Sequence, residues 1–350
     1  MTVLFRSLSA AIVVAILVSP AQAAQAPLPS ELQASPASEQ VKPSAQAQES
    51  SPYTLKVDAT LVNVDVLVTD EDGRVLTGLK QGNFRILDNG VPQQILSFSP
   101  TSAPITIVML LEFSSASYSY YAGKAADWGS AFLDHLEPTD WVALVTFDLK
   151  PTVQVDFTHK RFEVRDKLGM LGMPQFSDTN LFDALMDTLD KLDGVRARKA
   201  ILLMATGANS FSSSTLYDVY ERLKQTDTTI FCIGLAEGEY VRYGNSDISY
   251  MMGKNWLSSF AKRTGGFALF PRFEGELPGI FRSVVGVLRS EYTLTFRPPR
   301  ESRDGRYHRL KVEVVGPDGK PLKVTDDKSR SRKVEVLARE GYRIPKDEAP

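Results

Sequence analysis

A carboxylate and four hydroxyls crowd into one short stretch of the chain: Glu112, Ser114, Ser115, Ser117 and Ser119. Carboxylate and hydroxyl oxygens are hard donors, suited to a divalent cation such as Mg²⁺ or to a polar group on a partner. Just upstream, Ile105–Leu111 is apolar except for Thr106. Such a run reads as a strand buried on both faces, in the middle of a parallel sheet. Open α/β sheets bind ligands beyond the carboxyl ends of their strands, so an oxygen-lined site is expected there.

The same residues are weighed against other chemistry. A serine hydrolase would use Ser114 or a neighbour as nucleophile, but no G-x-S-x-G elbow occurs. His135, His159 and His308 fall in a predicted helix, near a predicted antiparallel edge and in a β segment, none beside the serines. There is no His/Asp/Glu cluster for a catalytic metal and no Gly-rich phosphate loop after the first strand. The chain is therefore expected not to be an enzyme. Structural roles would also explain these side chains. The serines can cap the first helix, Asp178 or Thr179 can cap a helix beginning near Asn180, and Glu112 can accept backbone N–H bonds.

From Ile105 to Arg289 apolar strands alternate with helical patterns, the signature of a doubly wound α/β sheet. Strands are expected near 105–112, 141–147, 152–157, 200–205, 229–235 and 267–270. Helices are expected at 119–136, 160–171, 180–192, 214–226, 255–264 and 277–289. The turn at Asp148–Pro151 is too short for a crossover helix, so 141–147 and 152–157 form an antiparallel edge. Glu237–Lys254, polar and without clear periodicity, is expected to be a surface loop.

Both flanks read as β. Val62, Val64, Val66 and Val68 alternate with other residues, and Asp72-Gly73 and Asn89-Gly90 are hairpin turn signals. Glu291–Arg297, Arg309–Val315 and Lys333–Leu337 alternate likewise, with turn signals at Asp304-Gly305 and Asp318-Gly319. VDVLVTDEDGRVLTGL and KVEVVGPDGKPLKV share a strand–Asp-Gly–strand layout, read as similar hairpin chemistry rather than an internal repeat. Neither flank is large enough to bury a core alone, so 53–100 and 290–345 are expected to form one β-sandwich around the α/β domain of 101–289.

The ends suggest export. Met1–Ala23 has Arg6, an apolar run Leu8–Val18 and Ala21-Gln22-Ala23, the pattern of a signal peptide cleaved near Ala23, and no cysteine follows for a lipid anchor. Residues 24–52, rich in Ala, Gln, Ser and Pro, read as a disordered linker, and 346–350 as a tail. No other segment is long and apolar enough to span a membrane. The mature chain is thus expected to be extracytoplasmic, either periplasmic or secreted. A net charge of −2 over 350 residues argues against nucleic acid as a partner. Residues 297–348 carry 15 Lys/Arg against 10 Asp/Glu, a split ordinary for a solvated surface. The single cysteine, Cys232, lies in the apolar run TTIFCIGL and allows no intrachain disulfide.

With these stretches in view, the chain resembles the von Willebrand factor type A fold, and in particular the VWFA-related secreted proteins of acidobacterial type. The resemblance runs from about Tyr53 to Pro345. It is carried by TDEDGRVLTGLKQGNFRILDNGVPQQILSF before the α/β domain and by EYTLTFRP, DGRYHRLKVEV and VLAREGYRIP after it. It implies a doubly wound, mostly parallel, Rossmann-like sheet with one antiparallel edge strand, flanked by β-sandwich-like segments, in an interaction or adhesion module. It also implies a metal-ion-dependent adhesion site built from D-x-S-x-S, a threonine and a later aspartate. On this chain those positions are Glu112, Ser114, Ala116, Thr179 and Thr206, so the site is degenerate and Mg²⁺ binding weak at most. Ser115, Ser117, Asp178, Thr206 and Asn209 are the residues that would substitute for lost ligands. Phe113, Tyr118, Tyr120 and Phe211, with Tyr121, are expected on the top loops as interface candidates for a protein or envelope partner. A purely structural role in the envelope is the alternative.

Overall fold

The computed structural model describes residues 61–71, 74–100, 104–115, 117, 125–195, 197–234, 247–299, 304–325 and 331–344. The expected signal peptide, linker and tail, and the Asp72-Gly73 turn, lie outside them. In chain order come strands β1 (Val62–Asp70), β2 (Phe84–Asp88), β3 (Val91–Gln93), β4 (Ile95–Pro100) and β5 (Ile105–Glu112). Helix α1 (Ala125–Leu133) leads to β6 (Trp141–Phe147) and β7 (Pro151–Thr158), then α2 (Arg161–Gly169), α3 (Leu181–Leu192) and β8 (Arg198–Met204). There follow α4 (Leu216–Leu223), β9 (Thr229–Ile233), α5 (Asp247–Arg263), β10 (Ala268–Leu269) and α6 (Leu277–Leu288). The chain continues through β11 (Tyr292–Phe296), β12 (Tyr307–Val314), β13 (Lys323–Thr325), β14 (Ser331–Ala338) and β15 (Gly341–Arg343).

The first strand of the α/β domain is buried along its whole length because it lies inside the sheet, between β8 and β6. That sheet runs β10-β9-β8-β5-β6-β7. Every neighbouring pair is parallel except β6 and β7, which are antiparallel, so the sheet is mixed. One face is covered by α1, α2 and α6, where Trp128, Phe132, Val164 and Phe281 pack on Ile107 and Met109. The other is covered by α3, α4 and α5, where Leu185, Val219 and Phe260 pack on Val108 and Leu110. Alternating strand residues thus feed two cores, the arrangement of a doubly wound domain.

Two further sheets are antiparallel: a five-stranded one, β13-β14-β1-β11-β4, and a four-stranded one, β15-β12-β2-β3. Each combines strands from before and after the α/β domain. Between them Val64, Val66, Phe84, Ile86, Leu294, Phe296 and Val312 form a third core. The Asn89-Gly90 hairpin has φ of 48° and 86°, the left-handed pair that a two-residue primed turn demands.

Ala205 and Cys232 are fully buried between sheet and helices, and burial pushes the Cys232 thiol pKa up, leaving it inert. The reading of Glu237–Lys254 as a loop is corrected in its second half: α5 begins at Asp247 and carries Ile248–Lys254 into the helix.

Candidate functional site

Parallel strands deliver their last residues to one edge, and the helices begin their descent from the same edge. The register pairs Leu111 with Met204, which brings Glu112 level with Ala205 and one residue short of Thr206. Glu112 is 1% exposed. Its Oε1 accepts a bond from Ser114 Oγ at 2.7 Å. Its Oε2 accepts two from Thr206, from the backbone N at 2.7 Å and from Oγ1 at 2.8 Å. The Thr206 hydroxyl accepts in turn from Ala208 N at 3.0 Å. Burial raises the Glu112 pKa, and the bonds from Ser114 and Thr206 oppose the rise without cancelling it.

The serines serve the turn itself. Ser117 Oγ lies 3.0 Å from the Glu112 carbonyl and 3.2 Å from that of Ser114, and both side chains are buried. Ser115 is exposed and donates both its N and its Oγ to the Phe176 carbonyl. That contact ties the loop after β5 to the loop before α3.

The remaining candidates are placed as follows. Thr179 is buried at the same edge, and its Oγ1 has no hydrogen-bond partner. Asp178 is exposed. Asn209 Oδ1 accepts from Phe182 N at 3.1 Å and from Ser212 Oγ at 2.6 Å, so it closes the start of α3 and does not replace a lost acid. Neither Asp178 nor Thr179 caps α3. The N-cap is Asn180, and its side chain instead bonds the Leu149 carbonyl and Phe211 N. Phe113 is half-buried with its N donating to the Phe147 carbonyl, and Phe211 is 71% exposed. Ala116, Tyr118, Ser119, Tyr120 and Tyr121 lie outside the described residues.

These donors do not fit a divalent cation. A carboxylate offers about four lone-pair positions, and three of Glu112's are taken by donors within the chain. Thr206 presents its N–H and hydroxyl hydrogen to Glu112 where the motif calls for a second carboxylate. Mg²⁺ needs charge as well as oxygen count. Among the described residues no group of three or more His, Cys, Asp or Glu side chains is arranged to hold a metal.

The histidines lie apart from this edge. His135 Nδ1 is 2.7 Å from the Ala131 carbonyl just after α1, and His159 Nδ1 is 2.9 Å from the Asp140 carbonyl beside Trp141. His308 is on β12, 3.0 Å from Asp88 Oδ1, with Tyr342 Oη donating to Asp88 Oδ2 at 2.6 Å.

Sequence reasoning placed Phe211 at this edge but missed the other exposed apolar side chains gathered there. Among the described residues fifteen large apolar side chains are exposed, and nine of them stand at this end of the sheet or the adjoining helix ends: Met170, Met173, Phe176, Phe211, Tyr217, Ile248, Met251, Met252 and Phe273. The signal was present in the motif SYMMGKNW, which reads as polar loop only if its methionines are ignored.

No family model and no curated protein matches the chain. Similar solved structures include proximal thread matrix protein 1 from the mussel byssus with a zinc-occupied MIDAS motif. It is 15% identical over 57% of this chain and 49% of that one, with a TM-score of 0.45. The vWF domain of the type V pili tip protein Mfa5 from Porphyromonas gingivalis is 14% identical over 54% and 95%, with a TM-score of 0.41. A von Willebrand factor type A structure from Catenulispora acidiphila is 11% identical over 83% and 76%, with a TM-score of 0.42. The chain spans about half the length of the mussel protein. These likenesses are faint ones of fold, and the doubly wound sheet with its antiparallel edge strand rests on the strand order and pairing themselves.

Proposed function

We propose that the chain is an extracytoplasmic interaction module that binds a protein partner through the carboxyl edge of its α/β sheet, without catalysing a reaction. One observation carries the reading: the concentration of exposed apolar side chains at that edge, against six spread over the rest of the described surface. Large exposed apolar patches mark association surfaces, and methionine and phenylalanine suit them because they adapt and bury much area. The signal-like start of the sequence supports a place outside the cytoplasm. Among the described residues no helix is long and apolar enough to cross a membrane. The engagement of Ser114 with Glu112, away from every described histidine, supports binding over hydrolysis.

Site-specific photo-crosslinking tests this. A photoreactive residue is placed at Phe211 or Met251, and as controls at Trp141 and Phe162, which are exposed at the opposite end. Discrete adducts with envelope proteins from the first pair alone are expected. Adducts from the controls alone, or equally from all four, would overturn the assignment.

A further inference from the structure

We infer that Glu112 and Thr206 replace a metal bridge by a hydrogen-bonded one, so that this edge holds its shape and binds without a divalent cation. The inference rests on the reading of the edge as the binding surface. The two residues differ from the acid pair of the motif in complementary ways. A carboxylate at 206 facing one at 112 would need a cation or a shared proton between them. Threonine turns the second acceptor into a donor, and glutamate's extra methylene closes the distance from the level of Ala205 to Thr206. Drawing Oε2 away toward a metal would strip a buried backbone N–H of its partner, the costly half of a broken hydrogen bond. Thr179 Oγ1 is left unpartnered, but a lone hydroxyl supplies no charge to retain a divalent ion.

The bridge also reaches the apolar rim. Thr206 is followed by Gly207, whose Cα lies so close to Gly253 of α5 that a Cβ on it would be 2.5 Å from the Gly253 Cα. A Cβ on Gly253 would in turn be 2.8 Å from the Thr206 carbonyl oxygen. Met251 and Met252 immediately precede that contact. Glu112 is therefore a positioning residue for the exposed first turns of α5.

The test uses the full chain. Thermal melting is followed in EDTA, Mg²⁺ and Mn²⁺ for wild type, Glu112→Gln, Glu112→Ala and the triple variant Glu112→Asp, Ala116→Ser, Thr206→Asp. Oxidation rates of Met251 and Met252 are measured alongside. Wild type is expected to melt at one temperature in all three conditions. Glu112→Ala should lower Tm and speed methionine oxidation. Glu112→Gln, whose amide can still accept from Thr206 and bond Ser114, should restore both. The triple variant should gain a Tm rise with Mg²⁺ that EDTA reverses. A wild-type rise with either metal, abolished by Glu112→Gln, would overturn the inference, and it decides the matter even if the triple variant does not fold. Equal oxidation rates in all Glu112 variants would overturn the positioning role. If the crosslinks from Phe211 and Met251 fail while wild type melts independently of metal, the binding surface is wrong and the bridge stands.

Discussion

Gly207 and Gly253 pack backbone against backbone, joining the loop after β8 to the second turn of α5. Gly207 has φ of +84°, the left-handed region that other residues enter at a cost of about 1–2 kcal/mol. Overlap with Gly253 adds about 1–3 kcal/mol, the usual penalty of overpacking. Gly207→Ala should therefore lose roughly 2–5 kcal/mol in urea unfolding. Gly253→Ala separates the terms, because alanine improves helix propensity by about 1 kcal/mol. A net loss there would show that the contact outweighs propensity, and a net gain would show that the helix can shift.

The opposite end of the α/β domain is tied together by one buried guanidinium. Arg198, at the start of β8, donates to the Leu288 carbonyl at 2.9 Å, pairs with Glu291 and lies 3.6 Å from Asp65 of β1. Its side chain and that of Glu291 are 9% and 2% exposed. Removing the guanidinium strips the buried Glu291 carboxyl and the Leu288 carbonyl of their donor, at about 1–3 kcal/mol for each group left unsatisfied, so Arg198→Ala should be strongly destabilising. Replacing both, as Arg198→Met with Glu291→Leu, should recover most of that loss. Equilibrium denaturation of the single and double variants checks it, and a double variant as unstable as the single one would refute the argument.

Glu291 also gives stability a pH slope. Desolvation pushes its carboxyl up to about 8, with the Arg198 charge opposing and the Asp65 charge adding. From the ordinary value of 4.5 up to about 8 the folded chain holds a proton that the unfolded chain has released. Stability therefore falls as pH rises through that window and is level below it. Glu112 shifts in the same direction, for the same first cause. Glu291→Gln should remove that residue's share of the decline in Tm between about pH 5 and pH 8. A slope unchanged by Glu291→Gln would show that the carboxyl stays ionised against Arg198.

Much of this architecture was legible because the patterns are local. Uninterrupted apolar runs such as Ile105–Leu111 fix buried strands, and the four-residue step from Phe147 to Pro151 leaves room only for an antiparallel return. The first turns of α5 escaped because Ile248, Met251 and Met252 are exposed and Gly253 breaks the apolar pattern expected of a helix. Its packing is set by Gly207, more than forty residues away, and no periodicity encodes that. At the site, the resemblance to the type A motif grouped Glu112, Ser114 and Thr206 as a set but not their mutual bonding. The Glu112–Thr206 contact spans 94 residues and depends on the register of β5 against β8.

The exposed rim makes a final prediction that separates function from folding. Phe211 is 71% exposed and Met251 60%, so neither buries enough area to support the core. Phe211→Ser with Met251→Ser should change stability by less than about 0.5 kcal/mol per site, the range for surface positions away from cores and caps. The same change removes two large apolar groups from the patch. It should therefore reduce partner adducts formed from a photoreactive residue at Met252, which is 46% exposed and next to Met251 in the chain. Urea unfolding and adduct yield are measured on one preparation. Lost adducts with unchanged stability would mark the rim as a surface kept for binding. Lost stability would show that these side chains pack on residues of the chain itself, and the apolar rim would then no longer argue for a partner.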